Sequence, residues 1–384
     1  MAALIITFTI LPLILLRAQP QSLVGYDRFR RRDSVRGRPG HRYFGGAFWK
    51  RDFRTKQEKA PVVPLVYIDN RACANWAVKI MQTSAKFNDK VVRLGSRCAG
   101  GFPSNVEQLP LPVTDWAKNF QKLFWGGTNG GVELHCFTRF AALLQYMDST
   151  GIDRVAQLDT DIAVFSNITD LNHVLFQDSD MVVSWTSGHV SLFTRAALED
   201  LLNFIKASFE DHVWDGCPKC ISDMTAIQLY QNLSNWKRTG WGCCKDPHTN
   251  LWERLKYNPK TKKISSFIDV HQYKGQQVVG DMHLRFDEND DKYQAFHGVL
   301  VGPVRGFKAT YWHSGLPYWY RKDIGLVQAS FLHFQGTSKG VALNWLNNGM
   351  KADPEKYCFC TTLQCPQMTC ANSWAETSSM AAVA

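Results

Sequence analysis

Residues 154–165 read RVAQLDTDIAVF. Arg154 to Leu158 has the character of a short buried strand, Asp159-Thr160-Asp161 stands at its end, and the apolar Ile162-Ala163-Val164-Phe165 follows. Open α/β sheets place ligands at the carboxyl ends of their strands. Carboxylates at i and i+2 share a face of an extended chain, and in the turn that follows both reach one ion. Such hard oxygen donors suit Mn²⁺ or Mg²⁺, which binds a diphosphate and offsets the charge that builds on it as it leaves. An Asp-x-Asp alone is a short motif, and its bland reading is a solvated turn carrying two acids. Its place between two apolar runs is what points to an ion.

The same texture extends outward. Val132 to Met147 has Leu134, Phe137, Ala141, Leu144 and Met147 on one helical face, and Gly151 ends the pattern. Pro64 to Ile68 is an apolar run bounded by Asp69-Asn70. Ala74 to Phe87 has helical spacing at Trp76, Ile80 and Met81, and Lys90 to Leu94 reads as a second strand. Strand, helix, strand opens a doubly wound α/β sheet. Asp180 to Trp185 and Val190 to Phe193 are further strand candidates, and Ala196 to Phe209 a helix. Tyr311 to Tyr320 and Leu326 to Phe334 are β-like or irregular. The expected organisation is a hydrophobic segment at 1–17, a basic stem at 18–60, one α/β catalytic domain with a doubly wound mixed sheet at 61–345, and a Cys-rich tail at 346–384.

Of the net charge of +10, the stretch 17–60 carries +9, with 13 Lys/Arg against 4 Asp/Glu. No basic domain remains to track a phosphate backbone, which argues against a nucleic-acid partner. Ala2 to Leu16 is apolar apart from Thr7, Thr9 and Pro12. It is short for a ~30 Å hydrocarbon core and suits a signal peptide on length. No small-x-small cleavage site follows, and the basic residues after it are the wrong flank for a type II anchor. Entry into the secretory pathway is expected, with residence in the Golgi or endoplasmic reticulum lumen as a single-pass type II membrane protein or, after cleavage, a soluble one. A buried N-terminal helix is the bland alternative.

Two sequons, Asn167-Ile-Thr169 and Asn232-Leu-Ser234, agree with a lumenal protein. So do eleven Cys, clustered at Cys217/Cys220, Cys243/Cys244 and Cys358, Cys360, Cys365 and Cys370. Disulfides account for these better than a zinc site, because adjacent Cys chelate one ion poorly. Among 13 Trp, one or two near a cleft would stack on sugar C–H faces, and most would pack the core.

A second motif lies at His333-Phe334-Gln335-Gly336-Thr337-Ser338-Lys339. Imidazole completes a metal's shell, Gly336 allows close backbone approach, and Lys339 meets a phosphate oxygen. Read alone, it is a core histidine followed by a surface turn.

With Asp-x-Asp upstream and His-x-x-Gly-x-x-Lys about 170 residues downstream, the chain resembles the retaining GT-A-fold glycosyltransferases of the glycogenin and lipopolysaccharide-galactosyltransferase kind. The resemblance covers roughly residues 62–340. It includes Phe137-Thr138-Arg139 as the family's Arg-bearing helix, Ser187-Gly188-His189-Val190 where the family has Asn-x-Gly, and Asp223-Met224-Thr225 in place of Asp-Gln-Asp. Gly340 stands where the family has Pro-Trp after the lysine.

The resemblance implies that Asp159, Asp161 and His333 hold the metal, while Gly336 and Lys339 meet the diphosphate. Tyr67 and Asp69 would face base and ribose, Arg139 would lie near the diphosphate, and Asp223 would point at the sugar. The bland readings are a core Tyr67, a turn-capping Asp69, a surface Arg139, and an Asp223 that begins a helix at Ser222. The function implied is metal-dependent transfer of a hexosyl group from a nucleotide sugar, UDP-linked, to a glycan or glycoprotein acceptor. The order of the two phosphate motifs favours retention of configuration. The alternatives are a non-catalytic, lectin-like relative, which the intact motifs oppose, and a phosphodiesterase, which needs further His and Asp ligands for a second metal.

Overall fold

The computed structural model describes residues 60–126, 130–184, 187–215, 221–234, 255–267, 270–273, 276–279, 311–321, 325–334 and 339–348. The N-terminal hydrophobic segment, nearly all of the stem, Gly336, the three expected Cys clusters and Trp236, Trp241 and Trp252 lie outside them. No helix among the described residues is long and apolar enough to cross a membrane.

The architecture is mixed α/β. Seven strands form the main sheet: β1 (Leu65–Asp69), β2 (Val91–Gly95), β3 (Val106–Leu109), β4 (Arg154–Leu158), β6 (Met181–Ser184), β7 (Ser187–Thr194) and β8 (Ile264–Ser266). Their spatial order is β3-β2-β1-β4-β7-β6-β8. The half from β3 to β4 is parallel, β7 runs antiparallel to both β4 and β6, and β8 pairs parallel with β6. Both faces of β1 are covered, which is why it reads as a continuous apolar run. Leu65 and Tyr67 join one core while Val66 and Ile68 join the other.

The first core is closed by α1 (Asn75–Ser84) and α7 (Lys339–Asn348), through Ile80, Met81, Ala342, Trp345 and Leu346. The second is closed by α2 (Asp115–Leu123), α3 (Gly130–Thr150), α5 (Arg195–Glu210) and α6 (Asp223–Ser234), through Phe120, Phe137, Phe140, Phe204 and Ile227. The expected strands and helices of 64–94, 132–158 and 180–209 all form, within a few residues of the expected bounds. The aromatic stretch resolves into a hairpin of β11 (Tyr311–His313) and β12 (Leu316–Arg321). That hairpin joins β13 (Gly325–Ala329), β10 (Gln276–Val279) and β9 (Val270–Tyr273) in a second sheet. Trp214 and Trp312 are both core residues.

The sequon at Asn167 is built into the fold. Its side chain caps the short α4 (Ile168–Leu171) by accepting from Asp170 N at 3.1 Å, and buried Thr169 accepts Val63 N at 2.9 Å. The Asn167 side-chain oxygen and the Thr169 hydroxyl thus also serve the local backbone.

One buried acid organises the far end of the sheet. Asp200 accepts Tyr230 Oη at 2.6 Å, Lys260 N at 2.7 Å and Thr261 N at 2.8 Å, and also the hydroxyl of Tyr257. Burial works to raise its carboxyl, but these donors outweigh it and hold the group below the usual carboxylate range. The stability this lends is present above the unfolded-state value of about 3.9 and is lost as pH falls through the folded value. Asp200→Ala leaves several buried donors without an acceptor and is expected to cost about 3 kcal/mol at pH 7. Urea titrations should also find the wild-type advantage shrinking below about pH 4. An advantage unchanged down to pH 2 contradicts this account.

A disulfide joins Cys73 to Cys98, with Cα atoms 5.2 Å apart. It ties the loop after β1 to the loop after β2 at the carboxyl edge of the sheet. Neither cysteine belongs to a cluster in the sequence, and that is why the pair escaped the sequence reading. Closing a loop with a separation of 25 residues stabilises by about 3 kcal/mol in the chain-entropy description. Cys73→Ser with Cys98→Ser is expected to lose about that much in chemical denaturation, and reducing agent should do the same to wild type. Equal stability with and without reductant would remove this bridge from the account.

Candidate active site

The Asp-x-Asp turn is clamped by its neighbours. Asp159 N donates to His189 O at 2.8 Å, Ile162 N to Asp159 O at 3.2 Å, and Phe334 N to Asp161 O at 2.8 Å. The third contact comes from a two-stranded pairing of β5 (Ile162–Val164) with β14 (Phe331–His333), in which His333 lies opposite Ile162. This antiparallel register carries the second motif onto the first across the intervening sequence.

Asp161 is the hub. Its Oδ1 lies 3.3 Å from His333 Nε2 and its Oδ2 3.0 Å from Lys339 Nζ, with Asp161 and His333 both buried. Burial alone would raise the Asp161 carboxyl. The hydrogen bond and charge of His333, with the Lys339 ammonium, hold it well below the usual carboxylate range. Lys339 opens α7, and its Nζ sits over the Trp76 ring at 5.4 Å from the centroid. The rings of His333 and His189 lie 4.8 Å apart.

Asp159 belongs to a second group. Arg139, buried on α3, directs one guanidinium nitrogen to Asp159 Oδ1 and the other to Asp223 Oδ2 at 2.6 Å. Burial would lower its pKa, but the two carboxylates reverse this and keep it charged. Asp223 opens α6, is itself buried, and accepts Met224 N at 2.8 Å on its other oxygen. Ser222 Oγ accepts Thr225 N at 3.1 Å, so the capping role read from the sequence is present here too. Gly188 makes room for this group. A Cβ there would lie 2.9 Å from Phe140 Cζ and 3.0 Å from Arg139 Nη2.

At the end of β1, both Asp69 oxygens are held by Arg71 at 2.9 Å, and Thr160 Oγ1 donates to Oδ2 at 3.3 Å. Asp69 thus touches the Asp-x-Asp turn. Gly95 opposite it has φ +154°, and a Cβ there would fall 1.8 Å from Asp69 O. That close approach admits only glycine.

Tyr67 is corrected. It has no exposed surface, and its hydroxyl is hydrogen-bonded to Ser84 Oγ at 2.7 Å and Ile162 O at 2.9 Å. It is a core residue under α1 and offers no face to a base. The bland reading of Arg139 fails. It is not a surface cation, and its charge is already shared between two acids.

Of the expected metal ligands, the structure brings Asp161 and His333 together, while the ligand atoms of all three do not lie within 4.8 Å of one another. Ligand atoms on an octahedral Mn²⁺ or Mg²⁺ lie about 3 Å apart, close to the Asp161–His333 separation. Asp159 is drawn away to Arg139. Among the described residues, the group of three acids, histidines or cysteines whose ligand atoms all lie within 4.8 Å of one another is Glu133, Cys136 and Asp223. There burial pushes the Cys136 thiol up to about 12, and Asp223 is paired with Arg139.

No protein-family model matches the chain, and no curated protein matches it. Among solved structures, the chain is similar to mouse xyloside xylosyltransferase 1, with TM-score 0.34, 12% identity, 46% of this chain and 83% of that one. It is also similar to a glycosyltransferase involved in the glycosylation of the major capsid of PBCV-1, with TM-score 0.33, 10% identity, 75% of this chain and 100% of that one.

Proposed function

We propose that the protein is a metal-dependent glycosyltransferase of the GT-A type, moving a hexosyl group from a UDP-sugar to a glycan or glycoprotein in the secretory pathway. The observation that carries this reading is Asp161 at the carboxyl end of a central strand, with His333 and Lys339 on its two oxygens. A carboxylate, an imidazole and an ammonium on one spot suit a divalent ion and the diphosphate it accompanies. The Cys73–Cys98 disulfide supports an oxidising compartment.

Asp159, Asp161 and His333 would hold Mn²⁺ or Mg²⁺, which when bound supplies positive charge to the departing diphosphate. Lys339 is aimed by Asp161 and by the Trp76 face, and its ammonium adds a donor to a diphosphate oxygen. Gly336 stands three residues before it, where a diphosphate clamp needs close backbone approach. Asp69, beside Thr160, is the residue for the nucleoside end. Arg139 ties Asp159 to Asp223 and so joins the phosphate side of the site to its other half.

Retention of configuration follows if the departing phosphate oxygen takes the acceptor's proton as the acceptor attacks from the same face. Lys339, placed to donate to that oxygen, favours this course, as would a divalent ion held by Asp159, Asp161 and His333. The test is incubation of the domain with Mn²⁺ and a panel of UDP-sugars, scoring hydrolysis and transfer, with NMR of the product. Release of UDP and an α-linked product from an α-linked donor is expected. A β-linked product overturns retention, and no turnover with any nucleotide sugar overturns the function.

A further inference from the structure

His189 belongs to neither motif and touches both. It lies on β7 and is buried, 5% exposed. Its carbonyl oxygen accepts Asp159 N at 2.8 Å, which fixes the start of the Asp-x-Asp turn. Its ring lies against that of His333, with centroids 4.8 Å apart and planes inclined by 33°.

The local backbone accounts for this placement. β7 pairs with β4 in unbroken register, with Val190 opposite Leu158. Against β6 the register shifts: Ser191 lies opposite Val183, but Ser187 lies opposite Ser184. Residues 188–190 bulge between these pairs. Such bulges re-aim side chains, and they recur beside active sites. Gly188 in the same bulge brings the strand up to Arg139, since a Cβ there would lie 3.0 Å from Arg139 Nη2.

A histidine ligates through one ring nitrogen, so its value to a metal depends on how its ring is held. The pairing of β14 with β5 fixes the backbone of His333. It does not fix the ring, because the outer torsion of histidine has broad minima and takes its angle from what packs on it. The His189 face packs on it here, and His333 Nε2 lies 3.3 Å from Asp161 Oδ1. We propose that His189 is a positioning residue, whose ring face sets the angle of the His333 imidazole and with it the affinity of the site for a divalent ion. This rests on the metal-site reading above. His189 is not itself proposed as a ligand: among the described residues, no three ligand atoms that lie within 4.8 Å of one another include one of its own.

The experiment measures Mn²⁺ binding to the full-length protein with UDP present, from the electron paramagnetic resonance of the free ion against a protein-free blank. It compares wild type with His189→Phe, which keeps a flat ring, and His189→Leu, which keeps an apolar bulk without one. Loss of an outer contact to a metal-ligating histidine predicts an affinity about tenfold lower in His189→Leu, and within about twofold of wild type in His189→Phe. The thermal midpoints of the two variants should agree, so rescue by the ring separates positioning from packing. Equal affinities in His189→Leu and wild type overturn the proposal. A tenfold loss in His189→Phe also overturns it, whatever His189→Leu does, because the ring nitrogens would then be what matters. Wild type that binds no Mn²⁺ removes the metal-site reading itself, and this proposal with it.

Discussion

Asp161→Ala is expected to lower transfer by about a thousandfold or more, close to 4 kcal/mol of transition-state stabilisation. The size follows from where Asp161 stands. It touches both His333 and Lys339, so its loss removes a proposed metal ligand and releases the aim of the lysine together. The fold should survive. The turn is held by backbone bonds from His189 and Phe334 that need no side chain at 161, and Lys339 is one-third exposed and can turn to water. Initial rates on the best donor, with circular dichroism of the variant, check both halves. A variant keeping more than a tenth of wild-type activity contradicts the assignment.

Arg139→Met is the larger effect on stability. Removing one member of a buried ion pair leaves the other charge without compensation, at about 3–5 kcal/mol. Here the stranded charge is chiefly Asp223, because Asp159 is one-third exposed and can recover solvent. A loss of about 4 kcal/mol corresponds to a fall of about 10 °C in Tm for a domain of this size. The double variant Arg139→Met with Asp223→Leu removes the stranded charge as well and is expected to recover part of that loss. A double variant less stable than Arg139→Met alone would mean that the pair matters through packing.

How much of this was legible in the sequence depends on the range of the interactions. The strand 154–158 and the helix over 132–147 declare themselves because each buries an apolar pattern of its own. The helix α2 was missed. Only Phe120 on it is buried, and its start at Thr114, which accepts Ala117 N at 2.9 Å, is a single capping residue in a polar stretch. Tyr67 and Asp69 share strand parity and looked equally placed. Only the last residue of a strand reaches the rim, and two positions earlier α1 lies over the side chain. His333 could be named a metal ligand from its motif, but the pairing of β5 with β14 that brings it to Asp161 is long-range and leaves no local trace. The nearness of Glu133 to Asp223, on two helices, is likewise a product of packing alone.

The central claim is that Asp161 is part of a metal-dependent diphosphate site. Calorimetric titration of UDP into the protein with Mn²⁺, and again in EDTA, tests it most directly. The account predicts binding that requires Mn²⁺ in wild type and is absent from Asp161→Ala in either condition. Equal UDP affinity in Mn²⁺ and EDTA, or undiminished Mn²⁺-dependent binding by Asp161→Ala, would contradict it.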